Sequence, residues 1–229
     1  MPKVTGISLG VSEVRVVELE GSARRYQITR AFTAPLDSGE MDQDAAGAEE
    51  GRGTERGRAR ALAQILKEGG VQRDQVAMVV SGRDYLIRNA TLPIKSEDQI
   101  RKVIKFEAES WFQSVDIEDV VVDFYPLKVT EDGTDLLAAA VRKGSLGNLL
   151  ERAEASGANP EIVNLDSVAI FNAASALGCI DGEKCQLLLD LGRASTRLLL
   201  CREGRLVGIR SQRFGLDDLI GHDSGEEDE

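Results

Sequence analysis

The stretch LLLDLGRASTRLLLCREGRL, residues 187–206, repeats the pattern with which the chain opens, VTGISLGVSEVRVVELEGS at residues 4–22. Without gaps, Gly192 aligns with Gly10 and Arg197 with Arg15. Each copy has an apolar strand, a turn of glycine and small polar residues, and a second apolar strand. Solenoid repeats are only roughly 20–50 residues long, and the separation of Gly10 from Gly192 is far longer than that. The two copies are therefore not repeats of a solenoid. We therefore expect two halves that begin with the same unit.

The composition is that of a globular protein, with 42% hydrophobic and 29% charged residues in a chain of 229. The net charge of −11 is concentrated in residues 37–55 and 217–229, which are predicted to be a mobile loop and an acidic tail. No basic stripe with interleaved aromatic residues is present, so we expect no nucleic-acid partner. No run approaches the ~20 apolar residues of a membrane helix, so we expect no direct membrane insertion.

Cysteine and histidine usage argues against metal binding and nucleophilic catalysis. The three cysteines and the single histidine match no zinc spacing. Unpaired thiols are typical of a reducing compartment, so we expect a cytoplasmic protein without a bound metal. Cys185 and Cys201 are predicted to be small core residues of adjacent strands. No histidine is placed to activate a serine nucleophile.

Periodicity and turn residues predict an α/β protein. The predicted strands are residues 4–9, 14–19, 26–32, 76–82, 119–127, 135–141, 160–166, 186–191, 195–201 and 205–213. A first helix is expected near residues 58–68, ending at glycine. Three more helices are expected to be capped by Ser96 (in a capping box with Gln99), Ser145 and Ser167.

In the helix expected at residues 96–112, two residues are candidates for partner binding. Glu107 projects onto the apolar stripe that includes Ile100 and Ile104, so we expect it to be buried. Phe106 faces roughly 120° away from that stripe among polar side chains, so we expect it to be exposed. Each residue also has a structural interpretation: the carboxylate as the partner of an arginine, the ring as an isolated surface residue.

The duplicated turns are candidates for anion binding. A glycine turn lets backbone N–H groups converge without an intervening Cβ, and such concavities suit phosphate. Gly10 and Gly192 supply this backbone, and the hydroxyls of Ser12, Ser195 and Thr196 add donors. A single glycine in a hairpin is usually only a hairpin, but its duplication favours a functional interpretation. The P-loop motif for nucleotides is absent.

Four stretches resemble a known family in the order in which they occur. They are LPIKSEDQIRKVIKFEAESWF at 92–112, DIEDVVVDFYPL at 116–127, LLAAAVRKGSLGNLLERAEASGANPEIVNLDSVAIFNA at 136–173, and LLLDLGRASTRLLLCREGRLVGIRSQRFG at 187–215. The chain is similar over residues 4–216 to PilM, the actin-like cytoplasmic family of type IV pilus assembly. More broadly it resembles the actin/Hsp70/sugar-kinase superfamily, in which two halves clasp ATP between paired phosphate loops.

The resemblance implies a ribonuclease-H/actin-like (ASKHA) fold with a small α/β insertion and a truncated second half. Residues 1–83 and 143–180 would form the first ribonuclease-H-like half, and residues 84–142 the insertion. Residues 181–216 would form the strand core of the second half, followed by the acidic tail at 217–229. Relative to the family, the outer lobe that contacts adenosine would be missing, so we expect the uncovered sheet of residues 186–213 to self-associate.

The resemblance also implies where a nucleotide would lie. The degenerate phosphate loops would contribute Gly10, Ser12, Asp190, Gly192, Ser195 and Thr196. Asp190 keeps the place of a family aspartate that helps to hold the metal ion of the nucleotide, whereas Ser8 replaces the equivalent aspartate in the first loop. We therefore expect no ATP turnover, no resident cofactor, and at most weak residual binding of ATP with Mg²⁺.

As implied by the resemblance, the chain would be a cytoplasmic scaffold of a type IV pilus inner-membrane platform. It would dock the N-terminal peptide of a PilN-type bitopic membrane protein in a groove beside the insertion. This docking would recruit it to the inner face of the inner membrane. Two alternatives remain open: an ATP-binding, weakly hydrolysing actin-like protein, and a GspL-like cytoplasmic domain of type II secretion.

Overall fold

The computed structural model describes residues 2–10, 12–22, 25–36, 50–193 and 195–220. The strands are β1 (Lys3–Leu9), β2 (Glu13–Ser22), β3 (Arg25–Pro35), β4 (Val76–Val80), β5 (Tyr85–Leu92), β6 (Val120–Val129), β7 (Thr134–Arg142), β8 (Pro160–Leu165), β9 (Cys185–Leu191), β10 (Thr196–Arg202) and β11 (Arg205–Gln212). The helices are α1 (Glu50–Glu68), α2 (Glu97–Trp111), α3 (Lys143–Ala155), α4 (Asp166–Ala176) and α5 (Leu216–Ile220). A short 3₁₀ helix, Ile117–Asp119, precedes β6.

The chain divides into two compact units, each made of two separate segments. Unit 1 consists of Met1–Asp84 and Arg142–Asp166, and unit 2 of Tyr85–Val141 and Ser167–Glu229. The segment Tyr85–Val141, which lies within the insertion expected at residues 84–142, forms one unit with the C-terminal strands. The segment 167–180, which the sequence-based division assigned to the first half, lies in unit 2. The reason is packing: α4 shares its core with the strands that follow it.

Unit 1 is built on a five-stranded sheet in the order β3-β2-β1-β4-β8. The first three strands are antiparallel, and β4 runs parallel to both β1 and β8. Side chains alternate between the two faces of a strand, so Val14, Val16 and Glu18 of β2 are all buried while Arg15 and Val17 between them are exposed. The helix α1 packs against α3 and buries apolar side chains in the core of the unit.

Unit 2 contains two three-stranded sheets, β5-β7-β6 and β11-β10-β9. One face of the first sheet packs on α2, in a core that includes Ile100, Ile104 and Leu136. The next residue of β7, Leu137, points to the opposite face and joins a second core with Phe171 of α4. That second core also contains the buried residues of the other sheet, Leu199, Cys201, Leu206 and Ile209.

The repeat found in the sequence is present in the strand pairing. Ser8 lies opposite Arg15 in the β1–β2 hairpin, and Asp190 lies opposite Arg197 in the β9–β10 hairpin. These two pairs are equivalent in the alignment that places Gly10 on Gly192. The register shift to the next strand also falls at equivalent places, between Glu18 and Leu19 and between Leu200 and Cys201. The two hairpins are therefore structural copies.

The two copies are covered on opposite faces. Thr5 and Ile7 of β1 are buried, whereas the equivalent Leu187 and Leu189 of β9 are each 61% exposed. The other face of the second copy is the covered one, since Leu199 is fully buried there. The expectation that one face of this sheet stays uncovered is thus confirmed for the part of the chain that the structure describes.

The three predicted serine caps differ from the prediction. Ser96 occupies the N-cap position of α2, but its side chain makes no capping hydrogen bond. The Ser145 hydroxyl lies inside α3 and donates to Asp84 Oδ1 at 2.9 Å. Ser167 follows the first residue of α4, and its hydroxyl lies 2.6 Å from the hydroxyl of Tyr85. Ser145 and Ser167 bond to groups distant in sequence, which local motifs do not reveal.

Several boundaries also differ. The strand β5 was missed, and α1 begins at Glu50, so the acidic stretch 37–55 is helical from that residue onward. Residues 37–49 and 221–229, also predicted to be mobile, lie outside the described residues. The acidic tail begins with α5. Cys201 is buried as expected, but Cys185 is exposed, because it lies on the uncovered face of β9.

Candidate functional site

The two glycine turns are built in the same way. The amide of Gly10 donates to the carbonyl of Glu13 at 2.8 Å, and the amide of Gly192 donates to the carbonyl of Ser195 at 3.0 Å. A Cβ on Gly10 would lie 3.0 Å from the Glu13 oxygen, and one on Gly192 would lie 2.8 Å from the Ser195 oxygen. A side chain at Gly192 would force the turn to move, and one at Gly10 would require a smaller adjustment of the Glu13 carbonyl, so glycine fits both positions best.

These hydrogen bonds occupy two of the amides expected to face a phosphate. The hydroxyl of Thr196 also has a partner, since it donates to the carbonyl of Phe214 at 2.6 Å. The carboxylate of Asp190 forms an ion pair with Arg197, the residue opposite it on β10. In the second turn, the Gly192 amide, the Thr196 hydroxyl and the Asp190 carboxylate therefore all have partners within the same chain.

The predicted nucleotide residues are divided between the two units. Gly10 and Ser12 lie in unit 1, and the other four lie in unit 2. Ser12 is exposed, and its carbonyl accepts the amide of Leu36 at 2.9 Å. Ser195 is half-buried beside Gly192. Nucleotide binding by this set of residues stays a prediction.

A segment that sequence reasoning missed lies against the second turn. The amide of Leu216 donates to the carbonyl of Gly192 at 2.9 Å, and that of Asp217 donates to the carbonyl of Arg193 at 3.0 Å. The side chains of Arg193 and Asp217 also form an ion pair at 3.1 Å. A Cβ on Gly215 would lie only 2.1 Å from the Arg193 oxygen, so this approach requires glycine.

The expected burial of Glu107 is wrong, since its side chain is exposed. The buried stripe of α2 is narrow and consists of Ile100, Ile104 and Ala108, so Glu107 lies on the solvent side of the stripe. Phe106 is exposed as expected, with 78% of its surface accessible. Both residues lie on α2 about one turn before the groove described next, and neither lines it.

A groove of about 600 Å³ lies in unit 2, between β5 and the end of α2. It is lined by residues 86–89 of β5 and residues 110–114 at and beyond the end of the helix. Phe112 is buried in the core beneath it, and Arg88 is an exposed cation on its β5 side. We call this feature the β5–α2 groove. The missed strand β5 is the reason that sequence reasoning did not locate it.

A buried carboxylate, also missed from the sequence, links distant parts of unit 1. Glu18 is 1% exposed and accepts the amide of Gln72 at 3.0 Å and the hydroxyl of Thr29 at 2.8 Å. Lys3 lies 3.4 Å from the same carboxylate. These hydrogen bonds, led by the Gln72 amide, hold the pKa of Glu18 below its ordinary value of 4.5 despite burial.

Two features are absent from the described residues, a membrane-spanning helix and a cluster of metal ligands. No helix in the described part of the chain combines the length and the apolar character needed to cross a bilayer. Within the same residues, no three His, Cys, Asp or Glu side chains are grouped so that they could hold a metal ion.

Many solved structures share the fold, among them the following three. A chain of the PilM–PilN type IV pilus biogenesis complex matches with a TM-score of 0.79 and 22% identity, over 94% of the present chain and 62% of that chain. The cytoplasmic domain of EpsL, an inner membrane component of the type II secretion system of Vibrio cholerae, matches with a TM-score of 0.54 and 17% identity, over 93% and 71%. A Bacteroides thetaiotaomicron protein of unknown function with an actin-like ATPase fold matches with a TM-score of 0.50 and 9% identity, over 95% and 72%.

The duplicated hairpins and these likenesses define a protein with an actin-like ATPase fold. A family profile described as type IV pilus assembly protein PilM matches residues 6–221. The chain belongs to this PilM family, which confirms the resemblance seen in the sequence. It spans 62% of the length of the chain that it matches in the PilM–PilN complex.

Proposed function

We propose that this protein is a cytoplasmic scaffold of a type IV pilus inner-membrane platform that docks the N-terminal peptide of a PilN-type bitopic membrane protein. Membership of the PilM family supports the role in pilus assembly. The likeness to a chain of the PilM–PilN complex supports the kind of partner. Docking to a membrane-anchored partner would hold the protein at the inner face of the inner membrane.

The observation that carries the docking step is the β5–α2 groove. Among the described residues, β5 pairs only with β7 and forms one edge of its sheet. An extended peptide can add to such an edge through main-chain hydrogen bonds, while alternate side chains enter neighbouring pockets. Arg88 on the β5 side would attract an acidic group. The groove thus suits a short extended peptide that carries apolar and acidic side chains.

A role in type II secretion is the second candidate, favoured by the likeness to the EpsL cytoplasmic domain. The genes next to the one that encodes this protein distinguish the two systems. Pilus assembly genes beside it favour the first candidate, and type II secretion genes favour the second.

The docking proposal is tested by introducing a large side chain that obstructs the groove. Ser114 is exposed and lines the groove, so we expect Ser114→Trp to fold normally and to obstruct the peptide. We expect affinity to fall by about tenfold or more, equivalent to about 1.4 kcal/mol. The measurement is a fluorescence anisotropy titration with the labelled N-terminal cytoplasmic peptide of the PilN-type protein from the same organism.

The matched control is Glu109→Trp, which adds the same bulk to an exposed position of α2 outside the groove. We expect this variant to bind like the unmodified protein. Phe106→Ala in the same assay tests the sequence-based prediction for that ring. Equal binding by the Ser114 and Glu109 variants would place the peptide elsewhere, and no binding by the unmodified protein would refute docking of this peptide.

A further inference from the structure

The backbone of β5 directs its hydrogen-bonding groups to its two edges in turn. The amide of Arg142 donates to the carbonyl of Asp84 at 3.3 Å, one position beyond the first pair in the β5–β7 register. In an antiparallel ladder, opposed pairs that exchange hydrogen bonds alternate with pairs that do not. The even-numbered residues of β5 therefore bond to β7. Ile87 and Asn89, which line the β5–α2 groove, direct their amides and carbonyls to the outer edge.

The side chains of the same strand alternate between its two faces. Leu86 packs in the core beneath α2, whereas Ile87 packs in the core on the opposite face. Arg88 lies opposite Ala138 of β7, which is buried in the α2 core, so Arg88 belongs to the face that α2 covers. Its side chain is exposed and lines the groove. A peptide residue level with Arg88 therefore has its side chain on the same face, beside the guanidinium.

A hydrogen bond fixes the outer edge of β5 at the groove. The side-chain amide of Asn89 donates to the carbonyl of Val207 on β11 at 2.7 Å, and both residues belong to unit 2. A strand that is already held in its bound conformation loses less conformational freedom when a partner binds. The backbone groups at this edge are thus held in place for a partner strand.

We propose that the docked peptide adds antiparallel to β5, exchanges backbone hydrogen bonds with Ile87 and Asn89, and carries a carboxylate on the residue opposite Arg88. This inference rests on the proposed function and specifies how the same groove selects its peptide. The antiparallel direction follows from the sheet, because β5 is antiparallel to β7 and sheets of one kind are favoured. Antiparallel pairing is also slightly more stable per residue.

This direction separates two kinds of recognition along the peptide. The peptide residues opposite Ile87 and Asn89 bond through their amides and carbonyls. The residue between them, opposite Arg88, directs its amide away from β5, and only its side chain is recognised. In a parallel arrangement, the residue level with Arg88 would itself bond to Ile87 and Asn89. The direction of the peptide is therefore measurable by comparing its backbone with its side chains.

Arg88 selects by charge. Opposite charges that face each other across strands stabilise the pairing, and like charges oppose it. A carboxylate can also accept two parallel hydrogen bonds from one guanidinium, which fixes its position as well as its charge. A peptide with a basic residue at this position is therefore rejected, although its backbone fits the edge equally well.

The backbone contacts are tested with peptides in which one amide at a time is replaced by an ester, which removes a single N–H donor. The measurement is the anisotropy titration of the unmodified protein. We expect the esters on either side of the acidic residue to weaken binding about threefold or more. We expect the ester at the acidic residue itself to bind within about twofold of the parent peptide. Weakening at the acidic residue instead of its neighbours would overturn the antiparallel direction.

The role of Arg88 is tested by exchanging charges. We expect Arg88→Glu to weaken binding about tenfold, and a peptide with lysine in place of its acidic residue to restore binding to this variant alone. Restored binding also shows that the variant is folded. The matched control is Lys128→Glu, the same change of charge at an exposed position on β6, the other edge strand of the sheet. We expect the control to bind like the unmodified protein.

The outcomes separate this inference from the proposed function. No binding of the parent peptide, or binding unaffected by Ser114→Trp, refutes docking in the groove. Where the parent peptide binds and Ser114→Trp weakens it, the charge exchange decides the role of Arg88. A peptide whose binding depends on no carboxylate, or a lysine peptide that fails to restore binding to Arg88→Glu, overturns that role.

Discussion

Glu18 shows how one residue connects parts of unit 1 that are distant in sequence. Its carboxylate accepts a hydrogen bond from the amide of Gln72, far along the chain, and another from Thr29 on β3. These bonds favour the charged form, so the pKa of Glu18 is lower in the folded chain than in the unfolded chain. Its contribution to stability is therefore fully present above pH ~4.5 and is lost as the pH falls through the lowered pKa.

We expect Glu18→Gln to lower the free energy of unfolding near neutral pH by about 1–3 kcal/mol, because a buried hydrogen-bond network is broken. We also expect the variant to lose less of its remaining stability than the unmodified protein between about pH 5 and pH 3. Urea unfolding at a series of pH values measures both effects. Glu161→Gln, at an exposed position of the same unit, is the control. Identical pH dependence in all three proteins would show that Glu18 does not carry this linkage.

The ion pair of Asp190 with Arg197 affects the expected hydrolysis of ATP, because Asp190 is the residue expected to help to hold the metal ion of the nucleotide. A carboxylate held by an arginine is less available to a metal ion, and the equivalent position of the first copy is Ser8. We propose that the protein does not hydrolyse ATP. Isothermal titration with ATP and Mg²⁺ and a phosphate-release assay are expected to show weak or no binding and no turnover. A low-micromolar dissociation constant that disappears in Asp190→Asn would contradict this.

At the scale of the elements, the covered face of β10 could not be predicted from its run of leucines. Leu198, Leu199 and Leu200 are all apolar, so alternation in the sequence does not reveal which face is covered. The structure buries Leu199 completely and leaves Leu200 42% exposed. The difference arises because α4 and the β5-β7-β6 sheet cover only one face of β10.

We expect Leu199→Lys to lower the free energy of unfolding by about 3 kcal/mol or more, because a charge replaces a packed leucine in the core. Leu200→Lys should change it by about 0.5 kcal/mol or less, apart from any effect on association. Thermal unfolding followed by circular dichroism compares the two variants. Equal melting temperatures would mean that the covered face has been assigned incorrectly.

Most strands and helices could be predicted because their apolar periodicity and glycine ends are local properties. The strand β5 was missed because its sequence, YLIRNATL, has polar residues in the middle. Only its two end residues are buried, so the strand shows no regular alternation of apolar and polar residues. The position of Glu107 could not be derived from a helical projection, because the width of the buried stripe depends on the sheet beneath α2. The β5–α2 groove is formed by β5 together with the end of α2, so it could not be predicted from the sequence.

At the scale of the whole molecule, the repeat of the opening hairpin predicted the fold, because equivalent strands pair in equivalent registers. Unit boundaries were harder to predict. The ends of the segment 84–142 follow from local pattern, but its association with the strands after residue 167 depends on side chains such as Leu137 and Phe171. Such contacts join residues that no local pattern connects.

The last strand of the unit 1 sheet has a consequence for synthesis on the ribosome. The strand β8 begins at Pro160, whereas β4, with which it pairs, ends at Val80. At roughly 5–20 residues per second, a ribosome needs about 4–16 seconds to produce the intervening chain. During this interval the nascent sheet lacks its outermost strand, while the first segment of unit 2 emerges without the β9–β11 strands that complete its core. The sheet of unit 1 is therefore complete only after the first segment of unit 2 has been synthesised, and the core of unit 2 only after the whole of unit 1 has been synthesised.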